Sequence, residues 1–346
     1  MHPSNDEIRC FIDRVLMLAQ RWEFRTFAIG TRVRDDLPMD DAAELKRRLN
    51  IAVALGVARE APDFDPAPSD PDVTFLLHYP GSWIDVMAKP VFVYGRFRKL
   101  VRDLPQARWL CKRCHGHGCR RCGGTGRIYE NSVEEIIAAP LLAAFDAQED
   151  VMHAAGRQDV DVRMLGSGRP FAIELREPHR RSADLAAVAD AVNSSGSVEV
   201  LDLRVVSREL VRRVDTVRAQ KTYRALVEAR RPVGRAELAA LDTLEGAFIE
   251  QQTPRRVAHR RADKVRPRRI HECIVRPAES AEASCTFEIE LRTDSGTYIK
   301  ELIDGDSGRS QPSVSGILGI ECSCSELDVL AVHFDPFHGA SNGADA

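Results

Sequence analysis

Four cysteines, Cys111, Cys114, Cys119 and Cys122, read C-x2-C-x4-C-x2-C, and no other feature of this 346-residue chain restricts its folding as tightly. Two adjacent C-x2-C hooks supply the four thiolates that a tetrahedral structural zinc requires. Gly116, Gly118, Gly123, Gly124 and Gly126 stand among the thiols, where tight positive-φ turns bring backbone close to a small cluster. Four protein ligands leave no open coordination position, so the expected task of the metal is to order a linker rather than to do chemistry. Two disulfides or free thiols are the competing arrangements, and His115 or His117 could serve as substitute ligands. The other five of the nine cysteines are scattered, which points to a reducing compartment and a cytoplasmic protein. The hooks also look like those of DnaJ-type chaperones, but they are adjacent here and lack that family's spacing.

The formal charge is −3, so affinity for nucleic acid must come from local clustering. Such a cluster exists. Arg255, Arg256, Arg260, Arg261, Lys264, Arg266, Arg268 and Arg269 place eight cations in fifteen residues against one acid, Asp263. This reads either as a solvated strand pair or as a surface that tracks phosphates without reading sequence. No apolar run reaches the roughly 18 residues of a membrane helix, and the polar start Met1 to Asp6 is unlike a signal peptide. A membrane partner is therefore not expected.

Ile8, Phe11, Ile12, Val15 and Leu16 follow polar Ser4 to Asp6 at the spacing of an apolar helix face. Strands are expected at 27–33, 73–78 and 91–94, a helix at 41–55 and a loop at 61–71. After the knuckle, Ser132 and Glu135 form a capping box ahead of Ile136 and Ile137, and Pro140 is expected to break or kink that helix. From about Asp150 onward strands are expected at 171–175, 198–203 and 286–292, with helices at 184–192 and 235–244. The expected class is α+β: an N-terminal domain over 1–108, the knuckle over 109–130, a mostly antiparallel second domain over 131–335 and a frayed tail over 336–346.

Three short segments carry candidate chemistry. The first is Gly156-Arg157-Gln158-Asp159-Val160-Asp161-Val162-Arg163, leading into Gly166-Ser167-Gly168-Arg169-Pro170-Phe171. The second is Lys221-Thr222-Tyr223. The third is Ser295-Gly296-Thr297-Tyr298-Ile299-Lys300-Glu301-Leu302-Ile303, a strand end that turns into a helix. Taken singly they read as a turn-forming acid, a core tyrosine and a solvated lysine.

Taken together, in this order, they resemble the pseudouridine synthase superfamily, with its aspartate loop, tyrosine strand and strand-turn-helix bearing a basic residue. The chain is most similar to the archaeal-type T-arm tRNA pseudouridine 54/55 synthases. The likeness runs from the strand at 26–33 to that at 325–332 and takes in 94–105, the four cysteines, 156–174, 253–261 and 296–309. Two departures stand out: Gln158 replaces the glutamate of the aspartate motif, and Cys10 stands alone where archaeal members tend to carry a further CxxC.

The resemblance implies a THUMP-like RNA-binding N-terminal domain followed by a pseudouridine synthase catalytic domain. It implies Asp159 as nucleophile or base, Lys300 as the cation that holds it ionised, and Tyr223 packed against the target base with its hydroxyl available for proton transfer at C5. Arg157 would fill the space of the extruded uridine, and Tyr298, Arg255, Arg256, Arg260 and Arg261 would contact substrate. Asp161, two residues after Asp159, is the rival nucleophile. The implied partner is the T-arm of tRNA, with no organic cofactor and no obligatory protein partner. A non-catalytic, zinc-containing tRNA-binding protein is the alternative; it leaves the three segments unexplained. Other THUMP-bearing tRNA modifiers, a methyltransferase or a thiolase, need a glycine-rich loop opening a helix, whereas Gly166-Ser167-Gly168 leads into a strand.

Overall fold

The computed structural model describes residues 3–33, 39–260, 262–277 and 283–337. Its first elements follow from capping and patterning. The Ser4 hydroxyl accepts the Glu7 N–H at 3.2 Å while the Glu7 carboxylate accepts the Ser4 N–H at 2.7 Å, and this reciprocal pair opens helix α1 (Asn5–Ala19). Phe11, Ile12, Val15 and Ala19 form its buried face. Strand β1 (Thr26–Val33), helix α2 (Met39–Glu60), β2 (Asp65–Pro66), β3 (Val73–Tyr79) and β4 (Ile84–Ala88) follow. The sheet order is β2-β1-β3-β4, with β1 parallel to both β2 and β3 and β4 antiparallel to β3. Phe27, Phe75 and Leu77 from the strands and Leu49 and Val53 from α2 are wholly buried in one core. The loop expected at 61–71 holds the short β2. Strand β4 escapes the sequence reading because none of its residues is fully buried.

The remaining elements are β5 (Val91–Lys99), α3 (Val133–Phe145), β6 (Glu149–Ala154), β7 (Arg163–Arg176), α4 (Leu185–Asn193), β8 (Val198–Val206), α5 (Arg208–Thr216), β9 (Lys221–Gly234), α6 (Arg235–Leu238), β10 (Phe248–Gln252), β11 (Val265–Pro277), β12 (Ala283–Thr293), α7 (Ile299–Asp304), β13 (Ser310–Gln311), α8 (Val314–Leu318) and β14 (Cys322–Val332). Packing divides the chain into two compact units, one of Met1–Val93, Ala138–Val151 and Ile173–Val188, the other of Tyr94–Ile137, Met152–Ala172 and Ala189–Ala346. The class is α+β, and the larger sheet is mostly antiparallel. Among the described residues its order is β13-β10-β11-β12-β9-β14-β7-β5-β8, with β6 on β7. Antiparallel pairs link β13 through β14, and β14 joins β7 in parallel. No helix among the described residues is long and apolar enough to cross a membrane.

Three expectations need correction. Helix α3 continues through Pro140, which sits eight residues in, so the break expected there is not found. The Ser132 hydroxyl accepts the Glu135 N–H at 3.2 Å and donates to the Glu135 carboxylate at 2.8 Å, so the cap is made by the side chains. The helix expected at 235–244 is the single turn α6 followed by a 3-10 stretch, Ala239–Leu244. The strand expected at 171–175 begins eight residues earlier. That early part depends on Gly166 at φ +52°, where a Cβ would stand 2.0 Å from the Leu330 carbonyl of β14.

One ionic knot fastens β14 into the larger sheet. Asp328 is 4% exposed; Arg163 grips its two oxygens at 2.8 and 2.7 Å, with Arg102 at 3.0 Å and Arg224 at 3.4 Å. Burial works against its ionisation, but the Arg163 hydrogen bonds and the neighbouring arginines hold its carboxyl below the ordinary range. Asp328→Asn leaves three guanidinium groups facing a neutral amide, and we expect urea denaturation at pH 7 to show a loss of about 3 kcal/mol. The depressed carboxyl contributes stability at neutral pH that is lost as pH falls through its folded value, so the wild-type and variant curves should converge in acid. Equal midpoints at pH 7 would refute the assignment.

Candidate active site and cysteine knuckle

The loop 155–162 joins β6 to β7 and carries Asp159. Gly156, at φ +84°, opens it, and a Cβ there would stand 3.0 Å from Lys221 Nζ and 3.5 Å from Arg169 Nη1. Arg169, 1% exposed, donates from Nη1 to the Ala155 and Gly156 carbonyls at 2.8 and 3.1 Å. Lys99, equally buried, donates to the Leu104 and Val160 carbonyls at 2.8 and 2.7 Å and to the Asp159 carbonyl at 3.4 Å. Gln158 donates to the Val162 carbonyl at 2.7 Å and closes the loop. The side-chain amide can do this, whereas an ionised glutamate at that place has no proton to give.

Lys221 and Tyr223 stand two apart on β9 and so share a face of the sheet. Tyr223 lies close enough to Asp159 and Arg169 to feel both: burial pushes its phenol up to about 12, with Arg169 opposing and Asp159 adding to the shift. It therefore stays protonated at ordinary pH. Burial, then the Arg169 charge, brings the Lys221 amine down to about 7, and burial brings Lys99 down to about 8.

The third segment arrives from β12. Gln251, 2% exposed on β10, accepts the Tyr298 N–H and donates to the Tyr298 carbonyl, both at 2.9 Å, and this fixes the turn that opens α7. From α7, Lys300 reaches Asp161 Oδ2 at 2.5 Å. Burial opposes ionisation of Asp161, yet the Lys300 hydrogen bond holds its carboxyl low. The expected pair between Lys300 and Asp159 is not formed. Asp159 Oδ2 is instead bound by Arg256 Nη1 at 3.0 Å, while Arg256 Nε binds the nearly buried Glu301 at 2.6 Å. Glu301, next to Lys300 on α7, thus draws Arg256 inward, and the guanidinium passes 5.9 Å from the Tyr298 ring centroid.

Of the sequence-predicted residues, Asp159, Asp161, Tyr223, Arg256, Tyr298 and Lys300 meet here. Arg157 is exposed on the loop, and Arg255 is exposed with its N–H on Asp306 at 3.1 Å. Arg260 ends the 3-10 turn Arg255–Arg260, and Arg261 lies outside the described residues. Lys99, Arg169, Lys221, Gln251 and Glu301 were not assigned from sequence. Arg169, Lys221 and Glu301 stood inside the quoted motifs, but nothing local marked them as buried.

The four knuckle cysteines are free thiols, with all four sulfurs within 4.8 Å of one another. Cys111–Cys119, Cys114–Cys122 and Cys119–Cys122 are 3.9, 3.8 and 3.7 Å apart. A tetrahedron with arms of about 2.3 Å has edges of about 3.8 Å, so the spacing fits a thiolate-bound metal and is far too long for disulfides. Burial resists ionisation of Cys122, but the Cys119 and Gly126 N–H groups, each 3.2 Å from its sulfur, bring it down to about 6. His115 and His117 are exposed and outside this set.

A family model described as Pus10, C-terminal, matches residues 92–333. A tRNA pseudouridine synthase Pus10 of Methanothrix thermoacetophila is 46% identical over 294 residues, covering 84% of this chain and 63% of that protein. The protein of that name from Archaeoglobus fulgidus is 40% identical, covering 94% of this chain and 92% of its own length. That of Methanocaldococcus jannaschii is 41% identical, covering 95% and 73%.

Two measurements bear on this geometry. Between pH 7 and about 10 the unfolded chain keeps a proton on Lys221 that the folded chain has shed, so this position adds stability as pH rises. Lys221→Met should therefore gain stability over wild type most at pH 7 and below, with the gain shrinking toward pH 10; urea melts at four pH values decide, and a constant difference would contradict the buried amine. Elemental analysis of the wild-type protein should give one metal ion per chain, and Cys119→Ser should abolish it and lower the melting temperature. Wild-type protein that is fully folded and metal-free would refute the thiolate site.

Proposed function

Because the chain belongs to the Pus10 family, we propose that it is a tRNA pseudouridine synthase that isomerises uridine 54, uridine 55 or both in the T-arm. The observation that best supports this is the Asp159 carboxylate in a loop underlain by buried cations, oriented by Arg256 and adjacent to the neutral phenol of Tyr223. In the reaction Asp159 starts cleavage of the bond between ribose C1′ and uracil N1. The detached ring turns, C5 bonds to C1′, the C5 proton leaves and N1 takes one up. Atoms balance, so neither oxidant nor organic cofactor is consumed.

Arg256 takes the orienting part that the resemblance implied for Lys300, while Lys300 fixes Asp161 and keeps that second carboxylate occupied. Tyr223 packs on the base. With its phenol at about 12 it serves the C5 proton as a relay, taking one proton while giving up its own. The uridine must leave its stack at a cost of a few kcal/mol, and exposed Arg157 is suited to fill the space it vacates. Tyr298, Arg255 and Arg256 line the approach of the RNA, and the unit containing α1 to β4 grips the tRNA as a THUMP-like domain. The ion in the knuckle is structural zinc, held by Cys111, Cys114, Cys119 and Cys122 and supplying order alone.

Unmodified tRNA transcript incubated with the purified protein and no cofactor should acquire pseudouridine in the T-arm, mapped by reverse transcription after carbodiimide treatment. Asp159→Asn should lower the rate by about 10⁴-fold or more with tRNA affinity retained, and Asp161→Asn should stay active. Reversal of those two results moves the nucleophile to Asp161; absence of pseudouridine with wild-type protein, alongside intact tRNA binding, favours a non-catalytic binding protein.

A further inference from the structure

The outer surface of the cysteine knuckle is unlike that of a linker. Residues 104–129 contain no Asp or Glu and six cations, Arg108, Lys112, Arg113, Arg120, Arg121 and Arg127, in a chain whose formal charge is −3. Arg108 and Arg127 turn to Glu135 at 3.9 and 2.6 Å. Lys112, Arg113, Arg120 and Arg121 are exposed and carry no ion pair among the described residues. Beside them Trp109, Leu110 and Ile128 are 45%, 52% and 48% exposed, and Trp109 meets the Tyr129 ring edge-on at 5.5 Å. An open groove of about 690 Å³ runs along Lys112, Arg121, Arg127, Ile128 and Tyr129, with Glu130 the one acid in its lining.

Unpaired cations beside an exposed indole match an RNA strand, since cations take phosphates and rings stack on unpaired bases. The knuckle is also stitched to the reactive loop. Lys99 bridges the Leu104 carbonyl, at the root of the knuckle, to the Asp159 and Val160 carbonyls, and Gln106 donates to the Gly156 carbonyl at 3.4 Å. An RNA held on one is thereby brought to the other.

We infer that the knuckle is a second RNA-contact surface, on which Lys112, Arg113, Arg120 and Arg121 take backbone phosphates and Trp109 stacks on an unpaired base of the same RNA whose uridine enters the Asp159 loop. This deepens the RNA-modifying reading and rests on it. Fluorescence anisotropy with unmodified tRNA transcript tests it, using the full chain with Lys112, Arg113, Arg120 and Arg121 all changed to glutamine and its metal content verified. Affinity near 0.1 M salt should fall roughly 10- to 100-fold, and the slope of log affinity against log salt should lessen by about 2.8 to 3.6. Where the combined variant does not retain its metal, the four single glutamine variants decide, each expected to reduce the slope by about 0.7 to 0.9.

In protein with Trp22→Phe and Trp83→Phe, Trp109 is the one tryptophan left of three. Its emission should be quenched along the tRNA binding curve and not by poly-glutamate. Native affinity and slope in the glutamine variants, or equal quenching by poly-glutamate, would overturn the inference. The two readings fail separately: wild-type protein that forms pseudouridine while the glutamine variants bind normally refutes the surface alone. Wild-type protein that forms none, while those variants lose tRNA, refutes the activity and keeps the surface.

Discussion

Three basic side chains are buried against one short loop, and among the described residues none of them is answered by a carboxylate bond. Lys99 and Arg169 spend their hydrogen bonds on the carbonyls of residues 155–160, and Lys221 faces the vacant side of Gly156. Taking cations out of water is costly, and carbonyl dipoles recover only part of that cost. What remains beneath Asp159 is a positive potential carried chiefly by Arg169 and Lys99, with the Lys221 amine giving up its proton as pH rises through about 7. The Asp328 knot, the Gln251 clamp on Tyr298 and the Arg256–Glu301 bridge then bring three distant pieces of chain to the rim of that loop.

The strong local patterns were readable without coordinates. The apolar face of α1, the strand β1, the helix α2 and the four-thiol cluster all stand where spacing put them. Longer strands and the small β4 were harder: alternation fades in β4, where no residue is fully buried, and in β7, where residues 168–173 are buried on both faces. The chemistry was legible as far as residue types go and less so as pairs. Arg256 looked like one cation among eight, and nothing near it in sequence announces a carboxylate 97 positions away. Lys300 looked like the partner of Asp159 because the sequence cannot tell which of two aspartates, two residues apart, an amine on α7 will reach first. Lys99 and Lys221 sit in strands whose sequences read as ordinary, and burial alone makes them notable.

The family match begins at residue 92, and the larger packing unit begins at Tyr94. Sequence relationship and compactness therefore mark nearly the same place, just ahead of the stretch that leads through Lys99 into the knuckle. The thiol cluster, the reactive loop and the Gln251 turn all fall within that larger unit.

The clasp made by Gln158 across the loop has a further consequence. A carboxylate in that place would fasten and release with acidity, and would set a third negative group beside Asp159 and Asp161. A side-chain amide does neither. The curvature of the loop is thus set by a joint that does not titrate, and protons taken up or lost around it alter the charge on the reacting groups without unfastening the frame that aims them.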